Sequence, residues 1–530
     1  MADTLQQLLR TRADDDSVAV KHGDRVWTWR DHVAAASAQA AVVIAAADAS
    51  RPLHVGVLMG NTPDMLTALA AAALGGYVLC GLNTTRRGEA LARDIARVDC
   101  QMVLTDPDHQ QLLDGLDLPV IDVSTDDWAD RVAAAPALVP HREVTADDTF
   151  MMIFTSGTSG EPKAVEVPHA MALFAGSALV QRYGLTGSDV CYLAMPLFHS
   201  NAVYAGWSVA LGAGAAMVPA VFSASRFLPD VRRYGVTYMN YVGKPLAYIL
   251  ATAAQPDDRD NPLRIAFGNE AADRDIDEFG RRFGCEVWDG FGSTETAVII
   301  TRPDGCPPGS IGRGFPGVAI YDPDTVTECD VAEFDETGAL VNGVAATGEL
   351  VNTTGSGLFR GYYNDPGATD QRMRHGMYWS GDLAYRDADG WIYLAGRTAD
   401  WMRVDGENLT AAPIERILLR LNVISRVAVY PVPDGHVGDQ VMAALVLRDG
   451  AELGPAAFGE FLAAQWDLSP KAWPRYVWIA GDLPSTATNK ILKRELIVRG
   501  VDPAGRVLWK RGGAVFHPLA TPADLTGTGR

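Results

Sequence analysis

Short apolar runs alternate with longer stretches of helical periodicity in the N-terminal part of the chain. Strand-like runs cover 55–59 and 101–105, and helical patterns cover 63–74 and 88–98. Alternating strands and helices of this length are typical of layered sheets covered by helices. The sequence therefore predicts an α/β fold with a large N-terminal domain.

Two Ala-rich stretches, 34–49 and 66–82, approach the length of a membrane span. A spanning helix needs about 20 consecutive apolar residues. Polar residues interrupt the first stretch, and Gly75-Gly76 interrupt the second. Both are predicted to be packed helices of a protein without a transmembrane segment.

The pattern changes twice in the second half of the chain. Residues 302–317 hold four prolines and five glycines, and another turn-rich seam lies at 396–406. A shorter α/β pattern follows, with helices at 412–421 and 456–465 and strands at 427–432 and 441–447. The expected division is a large N-terminal domain at 1–397, a small, mobile C-terminal α/β domain at 398–510 and a flexible tail at 511–530.

Composition and charge narrow the class of protein. The 530 residues are 48% hydrophobic and 21% charged, and the formal net charge is −20. Such a charge repels the phosphates of nucleic acids, so a nucleic-acid partner is not expected. An anionic substrate would have to meet a local cluster of cations.

Six cysteines show no CxxC pair, which is typical of buried thiols in a reducing compartment. The N-terminal residues lack the basic start and apolar core of a signal peptide. A cytoplasmic location is expected, with peripheral membrane association and a homodimer left open.

A loop rich in Ser, Thr and Gly follows the apolar run 151–154 and ends on a lysine. Glycines let backbone N–H groups approach anionic oxygens, hydroxyls donate hydrogen bonds, and lysine adds full charge. The loop does not match the Walker A pattern. It predicts a phosphate-binding loop made of Thr155, Ser156, Gly157, Thr158, Ser159, Gly160 and Lys163.

This loop resembles the signature of the adenylate-forming superfamily, which includes acyl-CoA synthetases, firefly luciferase and peptide-synthetase adenylation domains. Five further segments resemble family elements in the family's order: 288–295, 378–382, 396–397, 405–408 and 484–490. Segments 81–88, 240–248 and 267–270 resemble the fatty-acid-transport and very-long-chain acyl-CoA synthetase branch.

The resemblance implies an ATP site with Mg²⁺. Glu295 would be the metal ligand, Thr294 would donate to phosphate or substrate, and Lys490 would be the catalytic lysine that offsets charge during adenylation. Phe291 stands where the family usually has Tyr, so ring stacking on adenine is kept without the hydroxyl. The other implied nucleotide-binding residues are Gly268, Asn269, Glu270, Asp289, Gly290, Gly292, Ser293, Asp382 and Arg397.

The resemblance also implies two half-reactions, between which the C-terminal domain rotates. Residues implied to bind coenzyme A are Arg403, Gly406, Glu407 and Asn408. The family's usual hinge position carries Ala399 here, followed by Asp400, so the hinge is left open between the two.

The acyl pocket is predicted from His199, Tyr241 and Gly243. Residues 196–204 offer no acidic side chain, which argues against an acid with an α-ammonium group. Gly243 is interpreted as an opening for an alkyl chain or as a turn glycine, and His199 as a gate or as a core histidine.

The predicted function is that of an acid–thiol ligase of lipid metabolism. It would use ATP and Mg²⁺ to convert a medium- to long-chain fatty acid to acyl-AMP, and coenzyme A to give acyl-CoA. The alternatives are an acyl-AMP ligase that loads a carrier protein and a non-catalytic sensor of nucleotide or acyl-CoA.

Overall fold

The chain forms two compact units in a computed structural model, one of residues 1–299 with 354–376 and one of 300–353 with 377–530. The structure describes residues 2–155, 162–271, 273–336, 340–397, 401–404, 407–434, 438–465, 468–485, 491–501, 507–513 and 515–519.

A six-stranded sheet of the first unit carries the predicted phosphate loop. Its strands are parallel, except that the last two form an antiparallel hairpin. The order across the sheet is Val120–Asp122, Met102–Thr105, His54–Leu58, Val78–Gly81, Thr149–Thr155, Lys163–Pro168.

A seven-stranded sheet of the same unit is also parallel, apart from the antiparallel hairpin at one edge. Its order is Glu286–Asp289, Ile265–Asn269, Tyr238–Val242, Val190–Leu193, Ala216–Pro219, Val18–His22, Arg25–Thr28. Parallel sheets are buried on both faces, which explains their continuous apolar runs.

Helices cover these sheets. The α-helices of the unit are Leu5–Arg10, Trp29–Ala46, Pro63–Gly75, Gly88–Arg97, Asp126–Ala133, His169–Tyr183, Ser200–Ala202, Ser208–Ala213, Ala224–Tyr234, Pro245–Leu250, Asp273–Phe283 and Pro366–Arg372. Shorter elements are the 3₁₀ turn Gln110–Leu113, the π-helical turn Val203–Trp207 and the strand Met373–Arg374. In the part of the chain that the structure describes, no helix is long and apolar enough to cross a membrane.

The Ala-rich stretch 66–82 was predicted from the sequence to be a packed helix. In the structure only its first part is helical. The helix Pro63–Gly75 ends at Gly76, whose φ of +70° is left-handed, and the strand Val78–Gly81 follows. A Cβ at Gly76 would lie 2.4 Å from the carbonyl oxygen of Arg142, so only glycine fits this helix end.

The second unit contains an antiparallel sheet with strands in the order Thr327–Glu328, Val318–Asp322, Gly348–Asn352, Met377–Arg386, Ile392–Arg397. A two-stranded ribbon pairs Ile300–Thr301 with Arg313–Gly314, and a short helix covers Gly343–Ala346.

Another sheet of this unit has seven strands. Six of them lie in the order Glu407–Thr410, Trp401–Val404, Gly438–Leu447, Tyr476–Ala480, Val507–Gly512, Val515–Leu519. The seventh, Ile424–Asp434, pairs with Gly438–Leu447. The helices of this part of the chain are Ala411–Leu418, Pro455–Ala463 and Lys493–Arg499, with a 3₁₀ turn at Pro470–Ala472. The two helices and two strands predicted in this part of the chain therefore lie where the sequence placed them, to within a few residues, whereas the other strands and the helix Lys493–Arg499 were not predicted.

The predicted flexible tail does not begin at 511. Residues 507–512 and 515–519 form an antiparallel hairpin, in which Phe516 and Leu519 are buried in two apolar clusters. These buried side chains fix the hairpin, and 520–530 lie outside the described residues. The domain boundary at 397 stays a prediction, since 300–353 and 377–397 group with the C-terminal residues.

Candidate active site

The two ends of the predicted phosphate loop face each other across a hairpin. Thr155 and Lys163 are paired in register, whereas Ser156, Gly157, Thr158, Ser159 and Gly160 lie outside the described residues. Lys163 is only 8% exposed, and burial lowers the pKa of its ammonium group. A buried ammonium group is stabilised when it pairs with an anion, so Lys163 is suited to bind phosphate.

The segment after Gly361 pairs with the strand that begins at Lys163. The N–H of Glu166 donates to the carbonyl of Gly361 at 3.2 Å, and the N–H of Tyr363 donates to that of Ala164 at 2.8 Å. This pairing places the ring centroid of Tyr362 5.2 Å from Nζ of Lys163.

Tyr362 also contacts the predicted metal ligand. Its hydroxyl donates to Oε1 of Glu295 at 2.7 Å, and Glu295 is only 7% exposed. Burial and Glu295 raise the pKa of Tyr362, so the hydroxyl stays a donor. Tyr362 was not predicted from the sequence, where its only local signal is the Gly361-Tyr-Tyr363 run in a turn-rich stretch.

Thr294, next to Glu295, is held by the helical segment after His199. Oγ1 of Thr294 lies 2.9 Å from Oγ of Ser200, and its carbonyl accepts a hydrogen bond from the Tyr204 hydroxyl at 3.1 Å. Tyr204 belongs to the π-helical turn, a feature often found at functional sites. The Thr294-Glu295 pair is therefore fixed by side chains from two distant segments.

Three asparagines connect this helical segment to the edge of the seven-stranded sheet. Asn240 donates to Asn201 at 2.7 Å, and Asn201 donates to Asn269 at 3.1 Å. Asn269 donates in turn to the carbonyl of Gly290. Ligands of parallel sheets bind at the carboxyl ends of the strands. This chain of amides runs from the middle of the strand Tyr238–Val242 to the carboxyl ends of the next two strands.

Several predicted nucleotide-binding residues lie at the same edge. A Cβ at Gly268 would lie 2.3 Å from the carbonyl oxygen of Tyr241, so only glycine fits there. Oδ2 of Asp289 accepts hydrogen bonds from the hydroxyl of Tyr241 at 3.3 Å and the N–H of Ala271 at 3.0 Å. The predicted residues after the strands are exposed or half-buried: Glu270, Gly290, Phe291, Gly292 and Ser293.

The three predicted acyl-pocket residues differ in environment. Tyr241 is buried, and its hydroxyl donates to the carbonyl of Trp288 at 3.0 Å. Burial lowers the pKa of His199 to about 4, so its imidazole is neutral. Gly243 has φ +64°, and its N–H donates to the carbonyl of Asn269 at 2.7 Å. The turn itself thus requires glycine, and an opening for an alkyl chain stays a prediction.

The predicted ribose-binding residues lie in the second unit. Asp382 and Arg397 face each other in register on neighbouring antiparallel strands. The N–H of Asp382 donates to Oγ of Ser380 at 3.1 Å. The sequence pattern therefore identified two residues that the fold brings side by side.

Three of the four predicted coenzyme A residues belong to two paired antiparallel strands of the same unit. Arg403 lies opposite Asn408 in register, and Glu407 lies opposite Val404. Outside the described residues lie Gly406, Lys490, Ala399 and Asp400.

Glu295 is a carboxylate that would serve as a ligand of a magnesium ion. Mg²⁺ is usually held by one or two carboxylates together with substrate phosphates and water. Within the described ranges, no group of three or more His, Cys, Asp and Glu side chains is placed to hold a metal ion. Glu295 is one buried carboxylate, and both it and Lys163 contact Tyr362. A single carboxylate suits a metal ion that binds together with the nucleotide.

The α/β fold places Lys163, Tyr362 and Glu295 in contact. A family model described as AMP-binding enzyme matches residues 9–363, so the chain belongs to this family. The predictions of the family and of the α/β fold class are thereby confirmed.

Two curated relatives match over most of their length. The chain is 50% identical over 508 residues to the medium/long-chain-fatty-acid–CoA ligase FadD17 of Mycobacterium marinum, covering 96% of this chain and 98% of that protein. It is 44% identical over 502 residues to the steroid-22-oyl-CoA synthetase of Rhodococcus jostii, covering 93% and 90%.

A solved structure shares the fold. The ATP-bound MatB from Rhodopseudomonas palustris superposes with a TM-score of 0.81 at 23% identity, covering 94% of this chain and 99% of that chain. This likeness shows the arrangement of the elements.

Proposed function

We propose that the chain activates a medium- to long-chain fatty acid with ATP and then transfers the acyl group to coenzyme A. The carboxylate attacks the α-phosphate, which gives acyl-AMP and releases pyrophosphate. The thiol of coenzyme A then attacks the acyl carbonyl, which gives acyl-CoA and releases AMP and a proton. The observation that carries this proposal is the buried Lys163–Tyr362–Glu295 cluster beside the ends of the phosphate loop.

The residues divide the work of the first step. Lys163 and the loop bind phosphate oxygens, and Thr294 donates to phosphate or to the attacking carboxylate. A magnesium ion held by Glu295 would supply positive charge to the phosphates. Lys490 offsets the charge that develops between carboxylate and α-phosphate. Charges fixed in a buried site stabilise such a transition state better than water does.

The remaining residues bind the rest of the substrates. Asp382 accepts hydrogen bonds from the ribose hydroxyls, and Arg397 adds a cation beside it. The paired strands that carry Arg403, Glu407 and Asn408, with Gly406, serve the pantetheine arm of coenzyme A. This activity fits the cytoplasm, where ATP and coenzyme A are available.

The acid is proposed to have an uncharged tail. Residues 196–204 contain no acidic side chain, and the imidazole of His199 is neutral. The FadD17 relative supports a fatty acid. A second candidate is a steroid carboxylic acid, which the relative at 44% identity favours.

Product analysis tests the proposal. The purified protein is incubated with ATP and Mg²⁺, with and without coenzyme A, and with a panel of fatty acids and a steroid carboxylic acid. Mass spectrometry should show acyl-AMP without coenzyme A and acyl-CoA with it. Acyl-AMP that is transferred only to a carrier protein would favour the acyl-AMP ligase. Absence of acyl-AMP with every acid would favour the sensor.

A further inference from the structure

We propose that Tyr362 is a positioning residue of adenylation, which holds the Glu295 carboxylate and the Lys163 ammonium in one fixed arrangement. The inference rests on the proposed function, because it assigns these two groups to the metal and the phosphates. It adds a residue from a distant segment to that site.

The backbone fixes Tyr362 before its side chain makes any contact. Tyr362 forms an isolated antiparallel bridge with Val165, two residues after Lys163. The N–H of Tyr362 donates to Oγ1 of Thr369 at 3.0 Å. The neighbouring Tyr363 points away from the site and donates its hydroxyl to Oδ2 of Asp99 at 2.9 Å.

The side chain of Tyr362 contacts both charges of the site. Its hydroxyl donates to Glu295 and accepts a hydrogen bond from Nε of Arg372 at 3.4 Å. Its ring lies under the ammonium group of Lys163. Tyr362 is 4% exposed, so these contacts are shielded from water.

Because Tyr362 is neutral, it can contact the Glu295 carboxylate and the Lys163 ammonium group without neutralising either charge. Opposite charges in a buried site attract each other strongly, and a direct ion pair would occupy the groups that metal and phosphate need. A phenol hydroxyl satisfies the carboxylate, and an aromatic face attracts the ammonium group. Tyr362 therefore keeps both charges in place and available to ligands.

Two variants separate the two contacts. Tyr362→Phe removes the hydroxyl and keeps the ring, whereas Tyr362→Leu removes both. Tyr363→Phe is the matched control, since it deletes a tyrosine–carboxylate hydrogen bond of similar length on the adjacent residue, away from Lys163 and Glu295.

The main measurement is the Mg²⁺ dependence of acyl-AMP formation. Tyr362→Phe should need about tenfold more Mg²⁺ for half-maximal rate, which is the size expected for one lost charge-assisted hydrogen bond. Its KM for ATP at saturating Mg²⁺ should stay within about twofold of the wild type. Tyr362→Leu should raise the KM for ATP as well, because Lys163 loses its aromatic face.

Calorimetry of ATP binding, with Mg²⁺ and with a chelator, gives a readout without turnover. The gain in affinity that Mg²⁺ brings should shrink in Tyr362→Phe and persist in Tyr363→Phe. Conversion of supplied acyl-AMP and coenzyme A to the thioester should be unchanged in Tyr362→Phe.

Equal Mg²⁺ dependence in Tyr362→Phe, Tyr363→Phe and the wild type would overturn the inference while leaving the proposed function in place. An equal loss of both half-reactions in Tyr362→Phe, in step with a lower unfolding midpoint, would show a merely structural tyrosine. A wild-type protein that makes no acyl-AMP would overturn the proposed function and this inference with it. If Tyr362→Leu does not fold, Tyr362→Phe decides the question.

Discussion

Glu295 is a buried carboxylate that accepts a hydrogen bond from a neutral tyrosine. Burying a charge is costly unless it is hydrogen-bonded or coordinates a metal. A residue kept for packing alone would be replaced by its amide at little cost. A metal ligand would not tolerate that change, because the amide carries no charge.

Glu295→Gln should therefore reduce the rate of acyl-AMP formation by about a hundredfold, the size expected for one lost transition-state contact, without a large change in the unfolding midpoint. The glutamine carbonyl oxygen can still accept from Tyr362. Glu166→Gln is the control, since Glu166 is a half-buried carboxylate on the strand after the loop that accepts from Thr149. A wild-type rate for Glu295→Gln at every Mg²⁺ concentration would exclude Glu295 as the metal ligand.

Lys490→Ala should nearly abolish acyl-AMP formation and leave the conversion of supplied acyl-AMP to thioester intact. The reason is that the charge between carboxylate and α-phosphate develops only in the first step. The two half-reactions are measured separately. Lys493→Ala is the control, because Lys493 forms an ion pair with Glu415 at 2.9 Å. Equal loss of both half-reactions would contradict the assignment of Lys490.

The helical segment 200–213 is the element that organises the site. A π-helical turn interrupts it at Val203–Trp207 and places Tyr204 against Thr294. One turn earlier, Asn201 bridges Asn240 and Asn269. The segment thus joins two strand ends to the loop that carries Glu295.

Asn201→Ala should lower the free energy of unfolding by about 2–3 kcal/mol, because the buried Asn240 and the half-buried Asn269 both lose the amide of Asn201. Urea denaturation measures the change. Asn83→Ala is the matched control, since Asn83 accepts exposed hydrogen bonds from Thr85 and should cost less than about 1 kcal/mol. A cost for Asn201→Ala no larger than that of Asn83→Ala would show that the amide chain contributes little.

Regular elements were predictable from the sequence, and the contacts between distant segments were not. Strand and helix periodicity placed the helices of 63–75 and 88–97 to within a residue or two. The π-helical turn has no periodic signal, and the hairpin after 507 was hidden in a Gly-rich tail. Tyr362 contacts Lys163 only because the fold bridges the segment after Gly361 to the strand Lys163–Pro168, which is far away in sequence.

The site was predictable to the extent that its residues lie in local motifs. Lys163, Thr294 and Glu295 belong to short runs of recognisable chemistry, and the structure connects them. The role of Gly243 was not decided by its sequence context. Its positive φ is a conformation that favours glycine. A bulky substitution such as Gly243→Trp, made to block an acyl pocket, would therefore strain the backbone whether or not the acyl chain lies there.

Two buried histidines, His32 and His169, and the half-buried His199 affect the stability of the whole molecule. Burial lowers the pKa of His32, His169 and His199 to about 4 in each case, below the usual value of 6.5. The unfolded chain therefore binds protons that the folded chain excludes. Stability is complete above the unfolded pKa and is lost as pH falls from there towards the folded pKa.

The free energy of unfolding should decrease as pH falls from about 7 to about 5, by up to about 1.4 kcal/mol per pH unit for each buried histidine. Urea denaturation across this range checks the slope. His32→Gln should make the free energy of unfolding depend less steeply on pH, because the contribution of one histidine is removed. A free energy that does not change across this range would contradict the burial of neutral imidazoles.

The whole molecule carries a net charge of −20 and is proposed to act on anionic substrates. Its binding site must therefore hold positively charged side chains close together, because the rest of the molecule repels anions. The proposed reaction joins a fatty acid to AMP at the site of Lys163 and Glu295. The most direct measurement is the exchange of labelled pyrophosphate into ATP in the absence of coenzyme A. The exchange should require both the fatty acid and Mg²⁺ and should be lost in Lys163→Ala. No exchange above the rate without fatty acid, or exchange that survives in Lys163→Ala, would contradict the account.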